Sequence, residues 1–157
     1  MAGLLLAPIL AEFFAELAGF GVEALKDSGF FSEGYAIIIG IKNNLDKPWT
    51  LKYNTATRWE HEPPTSVAPG ESVKVVVRPA EGWFNLNYHM ETDFYYNKTD
   101  ADQAFFRVHV VRNSWSSDEW GDTKEWNDCK LTVDTVPVDP GLLLVKIVVN
   151  PPDKAKL

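Results

Sequence analysis

Three tryptophans set among carboxylates make the densest chemical cluster in the sequence. Trp115, Trp120 and Trp126 alternate with Asp118, Glu119, Asp122, Glu125 and Asp128. Flat rings beside hydrogen-bonding acceptors suit a sugar ring, and amphipathic rings also suit a lipid headgroup layer. The acidic spacing does not match an EF-hand, so calcium is the weaker reading, and such rings can equally plug a core. Trp59, beside Arg58 and before a Pro-rich loop, is a further candidate for exposure. Arg58 has the chemistry to hold a phosphate or a neighbouring protomer, or simply a surface ion pair. Catalytic chemistry finds little to work with. His61, His89 and His109 lack metal-ligand spacing, Cys129 is the single cysteine, and no glycine-rich phosphate loop occurs. These residues predict a binding protein that is not an enzyme and needs no metal or cofactor.

The second cluster is N-terminal. At 3.6 residues per turn, Glu12, Glu16 and Glu23 share a narrow arc. Leu4, Leu5, Leu6, Ile9, Leu10, Phe13, Phe14, Leu17, Phe20 and Leu25 supply an apolar surface around the rest. Pro8 fits a first turn, so the spacing predicts a helix from about Pro8 to Leu25. Its apolar surface calls for a groove, a partner or a membrane. Lys26 is the first basic residue, and glutamates interrupt the apolar run, which reads as neither a signal peptide nor a transmembrane span. A core helix and a membrane-active helix both remain open.

The elements that position these clusters follow from composition and patterning. The chain has 157 residues, 45% hydrophobic and 24% charged, enough for one domain over 1–157 with a real core. A net charge of −7 argues against a nucleic-acid partner and against purely electrostatic adhesion to anionic lipid. The run Tyr35 to Lys42 reads as a strand buried on both faces. Further strands are read at 49–59, 72–78, 83–90, 104–112, 129–136 and 141–149, with Pro69-Gly70 a tight turn. Asp93 to Gln103, carrying Phe94, Tyr95 and Tyr96, reads as a polar and aromatic loop. The expected architecture is mainly β: a β-sandwich of about seven to ten strands over 35–150, with the amphipathic helix of 1–26 packed on it.

In this order the residues resemble the actinoporin family of pore-forming cytolysins. The likeness is carried by the acidic amphipathic helix, then Ile39-Gly40-Ile41 leading to Asn43 or Asn44, Lys47, Trp49 and Thr50. Asn54-Thr55, Arg58, Val67 and Gly70 continue it, the strand from Gly141 to Val149 looks like the family's closing strand, and 93–97 with 105–108 loosely echoes its lipid-binding loop. The Arg-Gly-Asp tripeptide and a Pro beside the acidic residue of the aromatic loop are missing, and the chain is acidic where those toxins are usually basic. A weaker likeness is to the aegerolysins, acidic lipid-binding β-sandwiches.

The resemblance implies a soluble, secreted or released protein that docks on membrane containing sphingomyelin or another phospholipid. Arg58, Trp59, Phe94, Tyr95, Tyr96, Trp115, Trp120 and Trp126 are the candidate lipid or ligand contacts. The segment from Gly3 to Leu25 then enters the bilayer, as a helix of roughly 33 Å that just spans a hydrocarbon core of about 30 Å. Self-association makes a pore with Glu12, Glu16 and Glu23 facing a cation-favouring lumen. The alternative is a lectin-like module that binds glycan with the helix permanently packed. A third class is an interaction protein whose helix docks on another chain.

Overall fold

The computed structural model describes residues 9–17, 35–79, 89–98, 104–113, 119–120, 129–139 and 141–151. Among the described residues ten strands run in chain order: β1 Ala36–Asn43, β2 Trp49–Ala56, β3 Trp59–His61, β4 Ser66–Val67 and β5 Ser72–Val77 come first. They are followed by β6 His89–Lys98, β7 Ala104–Asn113, β8 Glu119–Trp120, β9 Lys130–Asp139 and β10 Leu142–Asn150. They form two five-stranded sheets, β3-β5-β1-β10-β9 (sheet A) and β4-β2-β6-β7-β8 (sheet B). The protein is mainly β and sandwich-like, as its strand-and-turn pattern predicts.

At the centre of sheet A, β1 and β10 run parallel, Ile38 opposite Leu144. Parallel strands covered on both faces read as continuous apolar runs, and AIIIGIKN and LLLVKIVVN are such runs. Alternation divides them. Ile37, Ile39, Ile41, Leu143, Val145, Ile147 and Val149 point into the core between the sheets. Ala36, Ile38, Leu142 and Leu144 point the other way, with Val76 of β5.

Sheet B supplies the facing half of the core through Met90, Phe94, Tyr96, Phe106, Val108 and Val110. Trp49, fully buried, has its ring centroid 4.9 Å from that of Phe106 and 5.6 Å from that of Tyr96. The Tyr96 hydroxyl donates to the Pro64 carbonyl at 2.7 Å, and burial pushes its pKa up. Asn43, also fully buried, ties the turns together. Its amide nitrogen reaches the carbonyls of Lys47 (3.1 Å) and Ala68 (3.2 Å), and its side-chain oxygen accepts from Leu45 N at 2.9 Å. The Pro69-Gly70 turn takes the expected form, with Gly70 at φ 82° and Glu71 N donating to Ala68 O.

Two expectations need correction. Residues 93–98 are not a loop but the second half of β6, paired with both β2 and β7. Aromatic and polar residues alternate there because each type takes one face of a strand. The helix is also shorter than its spacing suggests within the described residues. It covers 9–13 (α1), and residues 14–16 turn, with Ala15 N and Leu17 N donating three residues back to Glu12 O and Phe14 O. A short helix pays a nucleation cost with few bonds to repay it, so the surface beneath it sets its shape.

Candidate functional site

The N-terminal segment lies on the outer face of sheet A. Leu10, Phe14 and Leu17 are buried there against Ala36, Ile38, Val76, Leu142 and Leu144, with Phe13 and Val148 partly buried at the margin. This cluster is separate from the core between the sheets. Gly40 of β1 makes the fit possible. A Cβ there would meet Leu17 Cδ1 at 2.5 Å and the Phe14 ring at 2.8 Å, so the strand's bare backbone forms the notch that the segment fills. Glu12 and Glu16 face solvent, and Ile9, also exposed, lies outside the buried seam. Lys146 of β10 closes the contact with an ion pair to Glu16 and a hydrogen bond to the Phe13 carbonyl. Leu4, Leu5, Leu6, Phe20, Leu25 and Glu23 lie outside the described residues.

The outer face of sheet B has the opposite character. Tyr53 and Tyr95 stack at 5.4 Å with ring planes 20° apart, and Tyr53 is 42% exposed. A register shift between Leu51 and Tyr53 brings Tyr53 opposite Tyr95. Beside them Arg107 holds Asp93 in a two-pronged pair, Nε to Oδ1 at 2.8 Å and Nη2 to Oδ2 at 2.7 Å. The two oxygens of Glu91 lie 3.0 Å from His109 Nε2 and 3.3 Å from His89 Nε2. Among the described residues, no group of three His, Cys, Asp or Glu is placed to hold a metal.

The Arg107 hydrogen bonds hold the Asp93 carboxyl below its ordinary value, and the His109 contact does the same for Glu91. A carboxylate with a depressed native pKa stabilises the fold above its unfolded pKa, and that stabilisation fades as pH falls through the native value. The ordinary values are 3.8 for Asp93 and 4.5 for Glu91. Urea midpoints measured from pH 6 to 3 should therefore fall below about pH 4.5, and Asp93→Asn should flatten the lower part of that decline. An unchanged acid limb in Asp93→Asn would show that the Arg107 pair contributes nothing to stability.

The candidate ligand contacts divide by position. Phe94 and Tyr96 are fully buried, so their rings line the core and cannot meet a ligand at the surface. Tyr95 alone of that trio faces outward. Trp59 is half-buried on β3 and packs against the core, and Arg58 precedes it, its carbonyl accepting Arg78 N at 2.9 Å. Trp115, Trp126 and the side chain of Trp120 lie outside the described residues. Tyr53, Asp93, Arg107 and Lys146 were not singled out by sequence reasoning. Reading His89, Glu91, Asp93 and Tyr95 as one alternating strand would have exposed most of that face.

No family model matches the sequence, and no curated protein matches it. The architecture nevertheless recurs among solved structures. The chain is similar in fold to the RahU protein. That protein, solved in complex with a TRIS molecule, superposes with a TM-score of 0.58 at 10% identity, over 77% of this chain and 98% of RahU. The lipid binding protein Nakanori gives a TM-score of 0.48 at 11% identity, over 89% of this chain and 85% of its own. At 10% identity the likeness to RahU is one of fold. Among the described residues, no helix is long and apolar enough to cross a membrane.

Proposed function

We propose that this chain is a non-catalytic, lipid-membrane-binding protein, actinoporin-like in mechanism and released in soluble form. Its N-terminal segment leaves sheet A to enter a bilayer, and protomers associate into a pore with Glu12, Glu16 and Glu23 toward its lumen. One observation carries the reading: Leu10, Phe14 and Leu17 are buried against the outer face of sheet A, in a cluster separate from the core between the sheets. The magnitudes favour a segment that can leave. Burying three such side chains contributes about 6 kcal/mol and the charge-assisted Lys146 contact about 2 kcal/mol more, against roughly 9 kcal/mol for ordering nine residues. Docking is therefore near balance, and a bilayer offers the same side chains an alternative apolar surrounding.

Dye release from phosphatidylcholine vesicles, with and without sphingomyelin, tests this. The full chain should release dye, and Leu17→Glu, which puts a charge on the inserting face, should cut release more than about tenfold. No release from either vesicle, or equal release by Leu17→Glu, would sink the pore reading. The dependence on sphingomyelin reports the headgroup preference.

A second reading, glycan binding, is favoured by the stacked Tyr53 and Tyr95 beside the Asp93–Arg107 pair. Aromatic faces with planar polar groups at their rim match a sugar's apolar face and hydroxyls. On a glycan array this reading expects binding that Tyr53→Ala abolishes, with no vesicle leakage.

A further inference from the structure

Lys146 stands where the pattern of β10 calls for an apolar side chain. It points outward between Leu144 and Val148, yet its side chain is only 15% exposed. Of its four contacts, three go to residues 13–16. Nζ lies 2.7 Å from Glu16 Oε1, donates to the Phe13 carbonyl at 3.2 Å, and sits 5.0 Å from the centroid of the Phe13 ring. A second carboxylate waits on the neighbouring strand. Asp134 of β9 is the direct cross-strand partner of Lys146, with Oδ2 3.8 Å from Nζ.

We propose that Lys146 is the latch of the N-terminal segment, and that Asp134 is the counter-ion that takes over its ammonium when the segment leaves. The proposal rests on the reading of that segment as releasable. The ammonium is shared unequally between the two carboxylates, 2.7 Å from Glu16 and 3.8 Å from Asp134, and the two anions repel each other. In the docked state Glu16 holds the shorter contact. Once the segment lifts, Glu16 and the Phe13 carbonyl go with it, and Asp134 is already in register to close on Nζ. Asp134 thus stabilises the released state, while Glu16 stabilises the docked one. The two carboxylates act in opposite directions on one equilibrium, which a purely structural lysine would not predict.

Native-state chymotrypsin cleavage after Phe13 or Phe14, followed by mass spectrometry without lipid, reads that equilibrium directly. Lys146→Met keeps the stem and removes the charge. It should speed cleavage about tenfold, the size expected from losing a charge-assisted hydrogen bond. Glu16→Gln should speed it by about threefold, and Asp134→Asn should slow it by a similar factor. Urea midpoints of the sandwich should stay put, which separates unlatching from unfolding. Wild-type cleavage in Lys146→Met, or faster cleavage in Asp134→Asn, overturns the latch. Dye release by the same variants from phosphatidylcholine–sphingomyelin vesicles separates the two proposals. If cleavage shifts as expected while no variant releases dye, the latch stands and the membrane reading falls. If cleavage does not shift, the latch falls whatever the vesicles show.

Discussion

Gly40→Val is expected to lift residues 9–17 off the sandwich without unfolding it. The new side chain would grow from the outer face of β1 into space now filled by Leu17 Cδ1 and the Phe14 ring. Leu17 has a flexible end, but the Phe14 ring offers less room to yield, and two added methyl groups reach further than the Cβ alone. On the inner side nothing changes, since Ile39 and Ile41 keep their places in the core. Valine also suits a central strand better than glycine does. The expected result is a sandwich of equal or greater urea midpoint whose N-terminal segment chymotrypsin cuts more than about tenfold faster. The exposed faces should also make the variant aggregate more readily than the parent. A variant as resistant to cleavage as the parent would mean that the notch is not what seats the segment.

Arg78→Met should cost about 3 kcal/mol of stability, read from urea unfolding, a large share of a small domain's total. Arg78 is 1% exposed at the end of β5, where its guanidinium joins three elements. Nη1 donates to the Tyr35 carbonyl at 2.9 Å, and Nε and Nη2 lie 3.2 and 3.1 Å from Glu60 Oε2. Its main chain is held as well, the carbonyl accepting from Thr57 Oγ1 at 2.7 Å. Removing the guanidinium takes a donor from Glu60, itself 20% exposed, and another from the Tyr35 carbonyl. Glu60→Gln should cost less, about 1–2 kcal/mol, because the amide oxygen still accepts from the same donors. Removing both charges with Arg78→Met and Glu60→Met should cost less than the sum of the single changes. Strict additivity would show that the two side chains do not act as a pair.

The elements most legible in the sequence were those with one dominant physical cause. The run from Tyr35 to Lys42 reads as a strand hidden on both faces, and β1 is, one face in the core between the sheets and the other under the N-terminal segment. The sequence misled where two patterns overlap. In β6, polar residues facing water and aromatics facing the core together mimic a loop. In the N-terminal segment, helical spacing was visible but the width of the patch beneath it was not. Buried contact falls to Leu10, Phe14 and Leu17, which Gly40 admits and Lys146 closes. Lys146 did leave a trace, as a charge at an outward position of an otherwise apolar strand. Its partners Glu16 and Asp134 come from distant parts of the chain, and only the fold brings them together.

The parallel pairing of β1 with β10 also sets the order in which the molecule can be made. The two strands are separated by roughly a hundred residues of intervening chain, a long-range closure of the kind that slows folding. The platform under Leu10, Phe14 and Leu17 is built from β1, β5 and β10, so it cannot exist until β10 has emerged from the ribosome. The segment that needs shelter is made well before the strand that completes its shelter. Between the making of the one and the other, the growing polypeptide carries an uncovered apolar stretch, open to whatever apolar surface it meets first.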